Sequence, residues 1–339
     1  MDNITHTLTG LALANAGLNR KTRFATAALV IGSNLPDLDI LWSGGGAKYL
    51  EYHRGITHSI LGAAVLAVLL AAAFCFLGKR ASPPRKQTPP LNARWMLLVC
   101  LIALGGHVLM DFTNAYGVRL FLPFDAHWYA WDIMFIIDPL LLAILIGGIA
   151  VPALFRLISE EVGASKPGFR LGAIVSLVLM VLLWGLRDVA HRRVVEQLDS
   201  HVYGGENPVR IGAFPTPANP LDWIGVVETG TAYRIIPASA LDSDVDLEHP
   251  KTFFKPDPTP ALDAAEKSRV GGIFLDFARF PWANVAETDK GYDVTIRDLR
   301  FYSPNEKAAG FVSDIVLDKD LHVVSATFGF AARKRTTFD

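Results

Sequence analysis

Histidines and aspartates stand at the ends of apolar segments throughout the first 111 residues. They occur in four short stretches, T-H, L-P-D-L-D, H-R-G-I-T-H and H-V-L-M-D. Imidazole and carboxylate groups together suit a divalent ion, zinc foremost and manganese or iron as alternatives. Because unpaired polar groups are costly among apolar residues, the pattern predicts a metal site where helices meet a membrane surface. The predicted ligands are His6, Asp37, Asp39, His53, His58, His107 and Asp111.

The spacing of these residues indicates how they would reach one ion. His107 and Asp111 are four positions apart, so on a helix both side chains lie on one face. We expect Thr57 to cap a helix that begins at His58, which places His53 on the preceding turn. Each piece also has a simpler interpretation. A histidine in an apolar helix can be an ordinary core residue, and aspartates beside a proline often lie in a solvated turn.

Two positions are candidates for catalysis. Arg54 lies between His53 and His58, where its guanidinium group would hold a phosphate or carboxylate oxygen beside the metal. The alternative for Arg54 is an ordinary arginine at the membrane interface. Asp37 is the carboxylate that we expect to act as the general base.

Composition predicts a membrane domain followed by a water-soluble domain. Of the 339 residues, 51% are hydrophobic, which exceeds the usual share in soluble proteins. Residues 1–187 hold 15 Lys and Arg against 10 Asp and Glu, whereas residues 188–339 hold 17 against 23. We therefore expect a transmembrane helical domain with the metal site over 1–187 and a soluble domain over 188–339. No patch typical of nucleic-acid binding is evident.

The apolar segments predict an α-helical membrane bundle of about four long helices. Four of them reach or approach the roughly 20 residues that a spanning helix needs. The predicted spans are Ile56–Leu77, Trp95–Phe112, Ile133–Leu157 and Leu171–Leu186. Thr7–Leu18 and Phe24–Leu35 are shorter and predict a tight hairpin packed among the other helices. Asp138 lies in an apolar run before Pro139 and is left without an assigned role.

The basic residues predict the topology. They cluster in the connections around residues 19–23, 78–94 and 156–170, which the positive-inside rule places in the cytoplasm. All candidate ligands and the C-terminal domain would then lie on the outer side of a bacterial-type inner membrane. The N-terminus has no basic region before its apolar stretch, so we do not expect a cleaved signal peptide.

The C-terminal part predicts a small α+β or mostly β domain. A short charged helix is expected at His191–Ser200 and another at Ala261–Arg269. The stretch Gly212–Pro220 is rich in turn residues. Strands are predicted at Trp223–Val227, Ala232–Ile236, Gly272–Arg279, Tyr292–Phe301, Gly310–Leu317 and Leu321–Phe328. His191, His201, His249 and His322 are interpreted as surface residues of this domain.

The motifs as a set resemble a known family. T-H near the start, N-L-P-D-L-D, H-R-G-I-T-H-S and G-G-H-V-L-M-D-F-T-N-A-Y-G-V-R-L-F-L-P-F are similar to the YdjM-like membrane-bound metal-dependent hydrolases over roughly residues 1–140. The order of ligands also resembles that of zinc-dependent phospholipase C and P1-type nucleases, which are phosphodiester hydrolases. The resemblance implies metal-dependent hydrolysis and leaves the substrate open. The last 150 residues lie outside it.

Three functions are compatible with these observations. The first is a membrane hydrolase whose metal activates water against a phosphoester of a lipid or lipid-linked substrate at the outer membrane face. The second is a membrane protein that binds a metal or haem without catalysis, with His58 and His107 as haem ligands. The companion aspartates argue against haem. The third is a scaffold whose C-terminal domain binds a partner. The oligomeric state is left open.

Overall fold

A computed structural model describes residues 1–80, 88–161, 168–217, 219–248, 250–302 and 310–330. The N-terminal part is helical, and the C-terminal part contains two four-stranded antiparallel sheets. The predicted fold class, a membrane helical bundle followed by a small α+β domain, is therefore confirmed. By contacts the chain forms two compact units. One holds residues 1–39, 54–189 and 216–220, and the other holds residues 40–53, 190–215 and those from 221 onward.

The helical part consists of eight helices in the residues described. They are α1 (Asn3–Asn15), α2 (Ala25–Gly32), α3 (Ile40–Ser43), α4 (Ala47–Tyr52), α5 (Ile60–Arg80), α6 (Ala93–Phe112), α7 (Pro139–Glu161) and α8 (Arg170–Asp199). Short 3₁₀ turns at Pro36–Asp39 and Ile56–His58 precede α3 and α5. Of the described helices, α5, α6, α7 and α8 are long and apolar enough to cross a membrane. The membrane prediction is confirmed at this level.

The first spanning helix begins later than predicted. The segment Ile56–His58 forms a 3₁₀ turn, and α5 starts only at Ile60. Ser59, and not Thr57, caps the N-terminus of α5, because the Ser59 hydroxyl accepts a hydrogen bond from the Gly62 N–H at 2.9 Å. The prediction that Thr57 caps the helix is therefore wrong. Thr57 is free to contact the histidine beside it.

The later spans also differ at their ends. Helix α7 begins at Pro139 and not at Ile133, since proline is tolerated in the first turn, where its missing N–H is not needed. The Asp138 carboxylate accepts the Leu141 N–H at 2.9 Å and so caps this helix. Helix α8 runs unbroken from Arg170 to Asp199. The separate helix predicted at His191–Ser200 is therefore wrong, because those residues continue the last span.

Small side chains let α2, α5 and α6 approach closely. Ala28 of α2, Ala67 of α5 and Ala103 of α6 lie in one buried cluster. A Cβ atom at Gly32 would stand 2.8 Å from the Cβ of Ala103, closer than two such atoms normally come. Small residues at helix contacts are the usual means of packing membrane helices. This packing fixes the C-terminal end of α2 beside α6.

The C-terminal unit contains two antiparallel meanders. The first sheet has strands β1 (Arg210–Pro215), β2 (Asp222–Glu228), β3 (Ala232–Ser239) and β4 (Lys251–Phe254), in that order. Helices α9 (Pro260–Lys267) and α10 (Arg269–Phe277) follow. The second sheet has strands β5 (Pro281–Thr288), β6 (Gly291–Asp298), β7 (Phe311–Asp318) and β8 (Val323–Phe330), again in chain order.

One predicted strand is a helix. Gly272–Arg279 falls largely within α10, whose start is capped by the Ser268 hydroxyl accepting the Gly271 N–H at 3.1 Å. Phe274 and Phe277 share the buried face of this helix, as a helical period requires. The sequence also missed β1, β4 and β5. Strand β1 overlaps the stretch Gly212–Pro220, whose prolines and glycine indicate turns.

Candidate metal centre

Four predicted ligands converge from three different parts of the chain. Asp37 lies on the 3₁₀ turn after α2, His58 ends the turn before α5, and His107 and Asp111 occupy the last two turns of α6. One ligand atom of each lies within 4.8 Å of the corresponding atoms of the other three. The Asp37 side chain is 9% exposed, and the other three are fully buried. The geometry is that of a group which could hold one metal ion.

The distances within this group are short. His58 Nε2 lies 3.3 Å from an oxygen of Asp37 and 3.3 Å from Oδ2 of Asp111. His107 Nε2 lies 3.6 Å from each of the same two oxygens. The two Nε2 atoms are 3.1 Å apart. Both imidazoles and both carboxylates therefore point to one place.

The far side of each imidazole is held by the protein. His107 Nδ1 donates to the carbonyl oxygen of Ser33 at 2.8 Å, because a carbonyl can only accept. This contact leaves the electron pair of neutral His107 on Nε2, which faces the carboxylates. A second partner that fixes the tautomer in this way is usual for metal-binding histidines. Ser33 is in this position because it ends α2 against α6.

His58 is oriented by Thr57 and Asp39. Its Nδ1 lies 3.0 Å from the Thr57 hydroxyl and 3.3 Å from Asp39 Oδ2. The Thr57 hydroxyl itself donates to Asp39 at 2.9 Å. Burial opposes a charged His58, but the nearby carboxylates of Asp111, Asp37 and Asp39 outweigh it and raise the pKa of His58 to about 10. The site thus strongly favours a positive charge.

Two carboxylate oxygens in the group lack hydrogen-bond partners although they are buried. They are Asp37 Oδ2 and Asp111 Oδ2. Buried carboxylate oxygens are costly unless a proton donor or a cation satisfies them. Two imidazoles with fixed tautomers and two such carboxylates match the donor set of zinc and similar ions. The residues present therefore fit a divalent metal.

His6 lies against the group from the first turn of α1. Its Nε2 is 3.3 Å from Asp111 Oδ1, and its ring stacks on that of His107 with centroids 3.9 Å apart. The Nδ1 of His6 is buried without a hydrogen-bond partner. Asp2 caps α1 because its side chain accepts hydrogen bonds from the N–H groups of Ile4 and Thr5. The cap stabilises the first turn, which carries His6. Burial lowers the pKa of His6, so the ring is held in the neutral form that ligates metals.

Arg54 is buried beside Asp111. Its Nη2 donates to Asp111 Oδ1 at 3.1 Å, and its Nη1 donates to Asn114 Oδ1 at 3.0 Å. The guanidinium carbon lies 4.6 Å from the centre of the Tyr116 ring. Its Nε is buried without a hydrogen-bond partner. Asn114 and Tyr116 were not singled out from the sequence, although both lie in the stretch that follows Asp111.

The remaining predicted ligands lie outside the group of four. Asp39 contacts the Nδ1 side of His58, and its Oδ2 accepts the Arg54 N–H at 3.0 Å. His53 belongs to the C-terminal contact unit, where its ring stacks on Tyr49 with centroids 4.6 Å apart. The structure brings His6, Asp37, His58, His107 and Asp111 together. Asp39 contacts His58 on the Nδ1 side of the ring, which faces away from the group.

Asp138 and the other histidines have separate surroundings. Asp138 forms an ion pair of 2.6 Å with Arg187, and both side chains are almost fully buried. His201 lies 3.1 Å from an oxygen of the exposed Asp244, and His322 is exposed on a hairpin. His191 lies beside Trp223, and His249 lies outside the described residues. Among these, Asp138 gains a clear structural role, which is to pair with a buried arginine.

Comparisons with known proteins match both parts of the chain. A family model described as YdjM inner membrane protein matches residues 1–194, and one described as YfhP C-terminal alpha/beta plait domain matches residues 260–337. The chain is 25% identical over 342 residues to YfhP of Bacillus subtilis (strain 168), described as an uncharacterized protein. That match covers 97% of this chain and 95% of the relative. No solved structure matches. The second family model covers about half of the last 150 residues, for which the motifs indicated no family.

Proposed function

The chain belongs to the YdjM inner membrane protein family, and from this premise we propose that it is a membrane-bound, metal-dependent hydrolase. Its proposed substrate is a phosphoester of a lipid or lipid-linked molecule at the outer face of a bacterial inner membrane. The observation that carries the proposal is the buried group of Asp37, His58, His107 and Asp111, with two carboxylate oxygens lacking partners.

The proposed ligands are the four residues of this group together with His6. When bound, a divalent ion supplies Lewis acidity, which acidifies a water molecule and polarises a phosphoryl oxygen. Zinc is the proposed ion, because imidazole and carboxylate donors dominate and no thiolate lies in the group. Asp39 is proposed to orient His58 and not to contact the ion, since it lies on the Nδ1 side of that ring.

Asp37 is proposed as the general base. It is the most exposed member of the group, at 9%, so water reaches it more readily than the others. Burial opposes its ionised form, but the hydrogen bond from His58 outweighs this effect and lowers the pKa of Asp37. An ionised Asp37 can accept a proton from an attacking water through its unpartnered Oδ2.

Arg54 is proposed to hold a substrate oxygen. Its Nε lacks a hydrogen-bond partner, while Nη2 binds Asp111 in the group itself. A guanidinium group in this position offers planar donors to a phosphoryl oxygen next to the metal. Its present contacts also balance the charge of Asp111. Arg54→Lys keeps the positive charge that balances Asp111 but removes the planar N–H donors of the guanidinium group. It therefore separates charge balance from binding of a substrate oxygen.

The test is hydrolysis by purified, metal-loaded protein in detergent and in liposomes. Phospholipids, lipid-linked diphosphates and aryl phosphates are the substrates, and chelation should stop the reaction. Arg54→Lys should lower activity while metal content is retained, and Asp37→Asn should lower activity too. Asp125→Asn is the matched control, because Asp125 is exposed and outside the group. Full activity in chelator-stripped protein would refute the mechanism.

A metal-binding role without catalysis is the second candidate. It is favoured by one observation, the near-complete burial of the ligand group. Haem is disfavoured, because the Nε2 atoms of His58 and His107 face each other at 3.1 Å together with two carboxylates, which leaves no room for a porphyrin. Metal-loaded protein that is inert on all three substrate classes would support this second role. An absorption spectrum tests haem directly.

A further inference from the structure

The segment that joins Asp39 to Arg54 begins with an exposed apolar tip. Its first three residues are Ile40, Leu41 and Trp42, whose exposed fractions are 48, 76 and 61%. Large apolar side chains scattered singly on a surface are ordinary, but three in succession at the start of a short helix are not. We call Ile40–Trp42 the apolar tip.

The rest of this segment is held within the C-terminal unit. Helix α4 packs on α10, and Leu50 of α4 is 1% exposed. Glu51 forms an ion pair of 2.8 Å with Arg269, at the start of α10. The apolar tip therefore begins a segment that is anchored within the C-terminal unit through Leu50 and Glu51.

Chain length places the apolar tip near the membrane boundary. Consecutive Cα atoms are 3.8 Å apart, so the Cα of Trp42 lies within about 11 Å of that of Asp39. Asp39 contacts His58, which precedes the start of α5 by two residues. Asp39 therefore stands at the level where a membrane helix begins. The tip is therefore within reach of the lipid headgroups at this end of α5.

We propose that the apolar tip inserts into the lipid interface at the metal-centre end of the helices. The occupant of this surface is a phospholipid leaflet, because tryptophan with aliphatic neighbours is typical of membrane interfaces. Phe124, 85% exposed on the loop that follows α6, shows the same pattern in the N-terminal unit. Insertion does not rest on the proposed hydrolysis.

The test uses the full-length chain with Cys75 and Cys100 replaced and a single cysteine at Leu41, labelled with an environment-sensitive fluorophore. The control label is at Leu241, which is 72% exposed in the same unit. Both proteins are reconstituted into vesicles of phosphatidylethanolamine and phosphatidylglycerol. We expect a blue-shifted emission at position 41 that brominated acyl chains quench, and water-like emission at position 241.

Two outcomes would overturn the proposal. Water-like emission at position 41 would mean that the tip stays in solution. A blue shift that brominated lipid does not quench, and that disappears at low protein density in the vesicles, would mean that the tip contacts a second copy of the chain. Neither result bears on the proposed hydrolysis, because emission and quenching report only the surroundings of position 41. Trp42→Glu should reduce quenching at position 41 without changing metal content.

Discussion

The Nε2 atoms of His58 and His107 lie 3.1 Å apart, although 49 positions separate the two residues in the chain. Each ring is fixed from behind, His107 by the Ser33 carbonyl and His58 by the Thr57 hydroxyl. Two such nitrogens approach this closely only where a proton or a cation lies between them and the nearby carboxylates. Together with the carboxylates of Asp37 and Asp111, the two imidazoles form a group that could hold a metal ion.

Metal content should depend on both imidazoles. His58→Ala and His107→Ala each remove one of four converging donors, so the purified protein should lose most of its divalent ion. Elemental analysis of protein purified without added metal measures this. His127→Ala is the control, because His127 is exposed and outside the group. Equal metal content in all three variants would show that the ion binds elsewhere.

Asp39 should act through His58. Its carboxylate lies behind the ring, so Asp39→Ala should weaken metal affinity by about 10–100-fold and leave the number of bound ions unchanged at saturation. Asp111→Ala removes a donor of the group and should abolish high-affinity binding. Titration of stripped protein with zinc and a competing chelator separates these results. If Asp39→Ala binds one ion fewer than the unmodified protein at saturating zinc, Asp39 is itself a ligand.

The sequence predicted the histidines and aspartates that converge in this group and the helix α6 that carries two of them, because apolar runs and helical spacing are local signals. It did not predict which carboxylates lie beside the Nε2 atoms of His58 and His107. Asp37 and Asp39 are two residues apart, and only the 3₁₀ turn decides that Asp37 faces Nε2 of His58 while Asp39 faces Nδ1.

Strand and helix assignments in the C-terminal part show a similar limit. Gly272–Arg279 has the apolar content of a strand, but the Ser268 cap and the buried face with Phe274 and Phe277 make it α10. Strand β5 carries few buried side chains, so no alternating apolar pattern marked it. Strand β5 is stabilised by its antiparallel pairing with β6, so it forms without an alternating apolar pattern of its own.

The buried pair of Asp138 and Arg187 should matter for stability and not for metal binding. Asp138→Leu alone leaves the guanidinium group without its 2.6 Å partner and should cost about 3–5 kcal/mol of unfolding free energy. The double variant Asp138→Leu with Arg187→Met should recover most of this loss. Thermal unfolding in detergent measures the effect, with metal content as the control. Equal stability of single and double variants would contradict a coupled pair.

The topology is testable by labelling from outside the cell. With the connections 19–23, 78–94 and 156–170 in the cytoplasm, an impermeant thiol reagent should modify a cysteine placed in residues 200–330. It should spare one placed at position 84 until the membrane is opened. The native Cys75 and Cys100 are replaced first. Modification of position 84 in intact cells would reverse the assignment.

Gly62 should be required for metal binding although it contacts no ligand. A Cβ atom at this position would overlap the carbonyl oxygen of Ile56, which belongs to the same 3₁₀ turn as His58. Gly62→Ala should therefore displace this turn from α5 and lower metal affinity, even though all donors remain. Gly106→Ala is the matched control in α6, because a Cβ there meets nothing within 4 Å. Chelator competition measures affinity, and circular dichroism verifies that both variants keep their helices. Unchanged affinity in Gly62→Ala would show that the turn adjusts without moving His58.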